Sequence, residues 1–170
     1  MEEKEKIVNY HFKDLDSFKE AVSKAPSKSM VLSRSLGGGK SSKYVPLFVQ
    51  QAIADLFFRE CDVISEDYQV VVNEIVCVVK LSLLPDYPDA EHRYITGVGA
   101  KPIQMESGSS ASKFPLGKKT NALEYNTPAA KSAAISNALT TFGNIFGRNL
   151  NREVRDDYSI KPKKEEENES

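Results

Sequence analysis

Apolar residues recur at three- and four-residue spacing at Leu15, Phe18, Ala21, Val22 and Ala25. That spacing lays one apolar stripe along a helix. It predicts a first helix from about Asp14 to Ala25, stopped by Pro26. A second stripe, Val49, Ala52, Ile53, Leu56 and Phe57, follows Pro46. Proline suits a first helical turn, where its missing N–H would find no intrahelical partner. Between the two helices the pattern changes. Met30 to Ser35 reads as a short strand and Lys43-Tyr44-Val45 as its return. The intervening Gly37-Gly38-Gly39 lacks any Cβ and allows a tight turn.

Tyr68 to Leu84 is dense in valine and isoleucine. It predicts one long or bent strand. Pro85-Asp86-Tyr87-Pro88-Asp89 makes a turn, and His92 to Gln104 reads as the antiparallel partner. Gly97 and Gly99 leave room there for a bulge or close packing. Glu106 to Asn126, rich in Ser, Gly and Lys, reads as a mobile loop. Thr127-Pro128 signals a helix start, with Thr as N-cap and Pro at the first position. That helix carries Ala134, Ile135, Ala138, Leu139, Phe142, Ile145 and Phe146, and Gly143 and Gly147 weaken its end. Phe57, Phe58, Phe142 and Phe146 sit at helical spacing and belong to a core rather than to a base-stacking platform. The predicted fold class is α+β: a twisted antiparallel β-meander packed on a long α-helix, with a glycine-rich β-hairpin, a ββα-type core. One domain spans 14–152, between a lead-in (1–13) and a polar tail (153–170) predicted to be disordered.

Composition adds exclusions. The 170 residues are 40% hydrophobic and 28% charged, ordinary values for a globular domain. No apolar run reaches the roughly 18–20 residues that cross a bilayer. The charged N-terminus lacks the apolar stretch of a secretory signal. The expected location is the cytoplasm, with no membrane partner. Cys61 and Cys77 are too far apart in sequence for a zinc site and read as reduced structural thiols. His11 and His92 sit in no metal-binding spacing, so no metal or cofactor is expected. No Ser-His-Asp or Cys-His set stands out, which points to a binding protein rather than an enzyme.

The net charge of −1 hides an asymmetry. No acidic residue lies between Glu20 and Asp55, where Lys24, Lys28, Arg34, Lys40 and Lys43 fall. From Ser107 to Asn151 the only acid is Glu124, against Lys113, Lys118, Lys119, Lys131 and Arg148. Local charge, not net charge, binds phosphate.

The segment Arg34-Ser35-Leu36-Gly37-Gly38-Gly39-Lys40-Ser41 has two readings. Gly39-Lys40-Ser41 matches the end of an NTPase phosphate loop. That loop needs a glycine five positions before Gly39, where Arg34 stands, and a helix starting at the lysine. The alternative is a glycine hairpin that displays Arg34, Lys40, Lys43 and Tyr44 to a nucleic-acid backbone. Arginine forks onto phosphate oxygens, and a tyrosine stacks on a base or bonds a phosphate.

At these residues a resemblance emerges. Ser33-Arg34-x-x-Gly37-Gly38-Gly39 followed by Tyr44 resembles the signature of the Rad-fifty-two family of annealing proteins. The stretch from Lys131 to Phe142-Gly143-Asn144-x-x-Gly147 resembles that family's long helix and its Phe-Gly-Asn-x-x-Gly end. The resemblance covers Leu15 to Asn151. It implies a DNA-binding protein of recombination and repair that assembles into a homo-oligomeric ring or filament, as phage recombinases of this type do. It implies annealing of single-stranded DNA without ATP, the strand lying in a basic groove with bases outward. A single-strand-binding protein or a nuclease is a further expected partner. Arg34 and Tyr44 occupy the family's hairpin positions. Where the family's helix carries a basic pair, this chain has Ser136 and Asn137. Both can hydrogen-bond phosphate without charge. Lys131, Arg148, Arg152 and the Lys113-Lys118-Lys119 loop are the expected replacements. A single-stranded nucleic-acid-binding module without annealing activity, and the NTPase, are the alternatives.

Overall fold

The computed structural model describes residues 10–110 and 116–152. Lys113 and the segment 153–170 lie outside the described residues. The chain runs through α1 (Leu15–Ser23), a 3-10 turn (Lys28–Met30), β1 (Leu32–Gly37), β2 (Lys40–Tyr44), α2 (Leu47–Phe57), β3 (Phe58–Val71), β4 (Glu74–Pro85), β5 (Arg93–Pro102), α3 (Ala122–Phe142) and a second 3-10 turn (Asn144–Phe146). The fold is α+β, with β1 and β2 as a two-stranded antiparallel sheet and β3-β4-β5 as an antiparallel meander.

Helix α1 starts where the sequence places it. Asp14 accepts from the Ser17 N–H at 2.9 Å, and Ser17 Oγ accepts from the Asp14 N–H at 3.2 Å, a capping box. The Ser17 bonds hold the Asp14 carboxyl below its ordinary range. Phe18 and Val22 turn into the core. Met30 belongs to the first 3-10 turn, and β1 begins two residues later.

The expected single strand Tyr68–Leu84 is two strands. The chain reverses at Val72-Asn73, with Val71 paired to Glu74 and Val72 at φ 58°. No glycine or proline marks this reversal, and the apolar run Val70-Val71-Val72 conceals it. Strand β3 extends back to Phe58 and was not legible. It is an edge strand exposed along most of its length, so Glu60, Asp62, Ser65 and Asp67 occupy it without penalty. Strand β4 is central and alternates: Ile75, Cys77, Val79, Leu81 and Leu83 are all buried.

Helix α3 begins at Ala122, so Thr127-Pro128 does not start it and the expected loop ends earlier. Pro128 lies inside the helix, where it removes one main-chain donor. The packing explains the longer helix: Ala122, Asn126, Ala130, Ala134 and Ala138, four residues apart, form its buried stripe. That stripe lies on β5 at Gly97 and Gly99. A Cβ at Gly97 would sit 2.7 Å from Ala138 N, and one at Gly99 2.8 Å from Ala133 C. The two glycines therefore serve close packing rather than a bulge; the sheet's register shifts lie in β3. The helix stops at Phe142, and Ile145 and Phe146 fall in or beside the second 3-10 turn.

The remaining core is aromatic. Phe58 meets Phe142 edge-to-face at 5.0 Å, and Phe12 meets Phe18 at 5.3 Å. Phe146 is fully buried, Phe58 nearly so, and Phe57 and Phe142 pack against them. The core assignment of these four phenylalanines holds. Both cysteines are free, Cys77 buried and Cys61 exposed. Among the described residues no helix is long and apolar enough to cross a membrane, and no group of three or more His, Cys, Asp or Glu could hold a metal ion.

Candidate nucleic-acid interface

The glycine turn is a hairpin tip. Gly37, Gly38 and Gly39 all have φ between 57° and 84°, which side chains with a Cβ rarely adopt. Lys40 follows within β2, and the next helix begins only at Leu47. No helix N-terminus therefore faces the glycines, as a phosphate loop requires. In the hairpin register Leu32 faces Tyr44 and Arg34 faces Ser42. Arg34 and Tyr44 are thus diagonal neighbours on one face. The Arg34 guanidinium lies over the Tyr44 ring at 5.7 Å from its centroid, a cation–π arrangement. Both residues are exposed.

That face closes one side of a groove of about 720 Å³. The opposite wall is a flank of α3, with Ala129, Ser132, Ala133, Ser136, Asn137 and Thr140. Ala100 and Lys101 at the end of β5 also line it, as do Gln50 of α2 and Gly147 and Asn151 after α3. Arg34 and Lys101 contribute cations, and no Asp or Glu lines the groove.

Its edges are held by amide side chains. Asn151 Oδ1 accepts from the Lys43 N–H at 2.8 Å, and Asn151 Nδ2 donates to the Lys43 carbonyl at 2.7 Å. Asn137 Nδ2 donates to the Val98 carbonyl at 2.7 Å and ties α3 to β5. Gln50, buried, donates to Phe146 O at 2.9 Å and to Thr140 Oγ1 at 3.1 Å, and its Oε1 has no protein partner.

Of the sequence-predicted residues, the fold brings Arg34, Lys43, Tyr44, Ser136 and Asn137 together. Strand alternation puts the Lys43 side chain on the hairpin face opposite Arg34 and Tyr44, so Lys43 borders the groove through its clamped main chain. Asn137 spends its amide N–H on Val98. Lys40 stands exposed near the hairpin tip and does not line the groove. Lys131 points elsewhere: it forms an ion pair with Glu66 of β3, and that hydrogen bond pushes its pKa up. Lys118 and Lys119 are exposed on the strap joining β5 to α3, where Lys118 bridges to Met105 and the Lys119 N–H reaches Gln104 O at 2.9 Å. They are outside the groove, as are Arg148 and Arg152, which follow Gly147 and Asn151 in the chain and are exposed.

Sequence reasoning missed Lys101, Asn151 and Gln50. Lys101 has no motif around it and reaches the groove only through the pairing of β5 with β4. No family model and no curated protein matches the chain.

Proposed function

We propose that this chain is a cytoplasmic single-stranded DNA-binding protein that anneals complementary strands without ATP, in recombination and repair. The observation that carries the reading is the acid-free groove, with Arg34 and Lys101 among its lining residues and Tyr44 exposed at its edge. Arg34 of the Arg-x-x-Gly-Gly-Gly segment and Gly147 of the Phe-Gly-Asn-x-x-Gly segment, the two that carry the Rad-fifty-two resemblance, line this same groove. Phosphates sit against Arg34 and Lys101, with Ser132 and Ser136 supplying uncharged hydrogen bonds in place of a basic pair. Tyr44 stacks on a base or bonds the backbone. Neutralising the phosphates lowers repulsion between two strands, and base pairing supplies the specificity. A ring or filament of copies makes the groove continuous and leaves exposed bases for a second strand.

Annealing of two complementary dye-labelled oligonucleotides, without ATP or Mg²⁺, tests this. Acceleration by the chain that Arg34→Ala removes is the expected result. Binding without acceleration would leave a single-stranded nucleic-acid-binding module, and no binding would overturn the reading.

A further inference from the structure

The groove lies where the described chain ends. Asn151 lines it, and Arg152 is the last described residue. The sequence continues with Glu153, Asp156 and Asp157, then Lys161, Lys163 and Lys164, and then Glu165, Glu166, Glu167 and Glu169. The last four acids fall within five residues. Thirteen residue steps separate Arg152 from Glu165. A chain of that length spans at most about 45 Å when fully extended, so the groove lies within its reach. The groove offers Arg34 and Lys101 and no carboxylate to repel it.

We propose that the acidic segment Glu165–Glu169 docks in this groove of its own chain and competes with nucleic acid for it. The competition rests on the proposed nucleic-acid binding; the docking does not. Carboxylates imitate the spacing of charge along a phosphate backbone while offering no base to pair. The segment then acts as a displaceable occupant: a long strand with many phosphates expels it, and short or sparse anions do not. Salt weakens both contacts, since the Debye length falls to about 10 Å at 0.1 M.

The test compares the full chain with a full-length Glu165→Gln/Glu166→Gln/Glu167→Gln/Glu169→Gln variant. A control, Asp62→Asn/Asp67→Asn/Glu74→Gln/Glu91→Gln, changes net charge equally but away from the groove. Two readouts are taken: affinity for a fluorescent oligothymidylate at low salt, and zero-length carbodiimide cross-links mapped by mass spectrometry in a mixture of light and heavy chains. Cross-links from the 165–169 glutamates to Lys101 of the same chain are expected. The variant is expected to bind about tenfold more tightly than both the parent and the control, the factor produced when nine-tenths of the grooves are occupied. Absence of those cross-links, or cross-links only between light and heavy chains, overturns the docking in its own groove. Same-chain cross-links with equal affinities overturn the competition. Same-chain cross-links with no oligonucleotide binding by any of the proteins leave the docking standing and overturn the nucleic-acid reading instead.

Discussion

The side-chain amide of Asn151 closes on both main-chain groups of Lys43, at 2.8 and 2.7 Å, across 108 residues of sequence. The pairing imitates one rung of a β-ladder. It fixes the outer strand of the glycine hairpin to the chain that leaves α3, and so sets the position of Arg34 and Tyr44 relative to the helix wall. Asn151→Ala removes both bonds. Each net bond is worth about 1 kcal/mol, but the hairpin's own ladder remains. The expected outcome is faster amide hydrogen exchange at Lys43 with little change in global urea stability, together with weaker oligonucleotide binding. Unchanged exchange at Lys43 would show that the hairpin is held by other means.

The closeness of α3 to β5 makes Gly97 and Gly99 sensitive to any added side chain. Gly97→Ala places a Cβ against helix backbone, which cannot rotate away. A loss of about 3 kcal/mol is expected by urea denaturation. Gly38→Ala has open space around it and meets only its positive φ of 57°, so its cost is about 1 kcal/mol. Equal losses at the two sites would contradict the close helix–sheet approach.

Arg34 and Tyr44 share one face of the hairpin but contribute differently. If Arg34 holds a phosphate as proposed, Arg34→Ala lowers the slope of log affinity against log salt by about 1. Tyr44→Ala costs about 1–3 kcal/mol of binding if the ring stacks on a base, with the salt slope unchanged. Tyr44→Phe separates stacking, which it keeps, from hydrogen bonding to phosphate, which it loses. Fluorescence titrations at three salt concentrations read all three variants.

Lys131 and Lys101 form an informative pair. Lys131→Ala breaks the ion pair with Glu66 outside the groove and leaves oligonucleotide affinity unchanged, whereas Lys101→Ala lowers it several-fold. Because Glu66 raises the Lys131 pKa in the folded chain, the pair's contribution to stability is fully present below the ordinary lysine value. It is lost as pH rises through the raised one. Thermal melts of parent and Lys131→Ala are expected to converge above that pH. Divergence that persists there would place the effect in packing rather than charge.

The two thiols are expected to react separately. Cys77 is fully buried beneath α3 and is modified only on unfolding. Cys61 is exposed on β3, but partial desolvation of its sulfur and the neighbouring Asp55 and Asp62 push its pKa up. Native alkylation near neutral pH thus modifies one thiol per chain, more slowly than a free cysteine and faster as pH rises. Two rapidly reacting thiols would contradict the burial of Cys77.

Local pattern was enough for α1, α2, the glycine hairpin, β5 with its antiparallel pairing, and the α+β class. In each, periodicity, a cap or a run of glycines states its structure within a few residues. The same locality made Arg34 and Tyr44 recognisable as candidates, whereas Ser136 and Asn137 were candidates only through the family resemblance. Tertiary structure alone decided the rest. Strand β3 is polar because it is an exposed edge, so no hydrophobic alternation announces it. The first turn of α3 exists because Ala122 and Asn126 pack into the core, against the signal of Thr127-Pro128. Lys131 looks like any other surface cation until the bulged register of β3 brings Glu66 beside it. Lys101 and Asn151 join the groove only through pairings made across the fold. Charge at a position is written in the sequence; which charges face each other depends on contacts between distant segments, formed only when the chain packs.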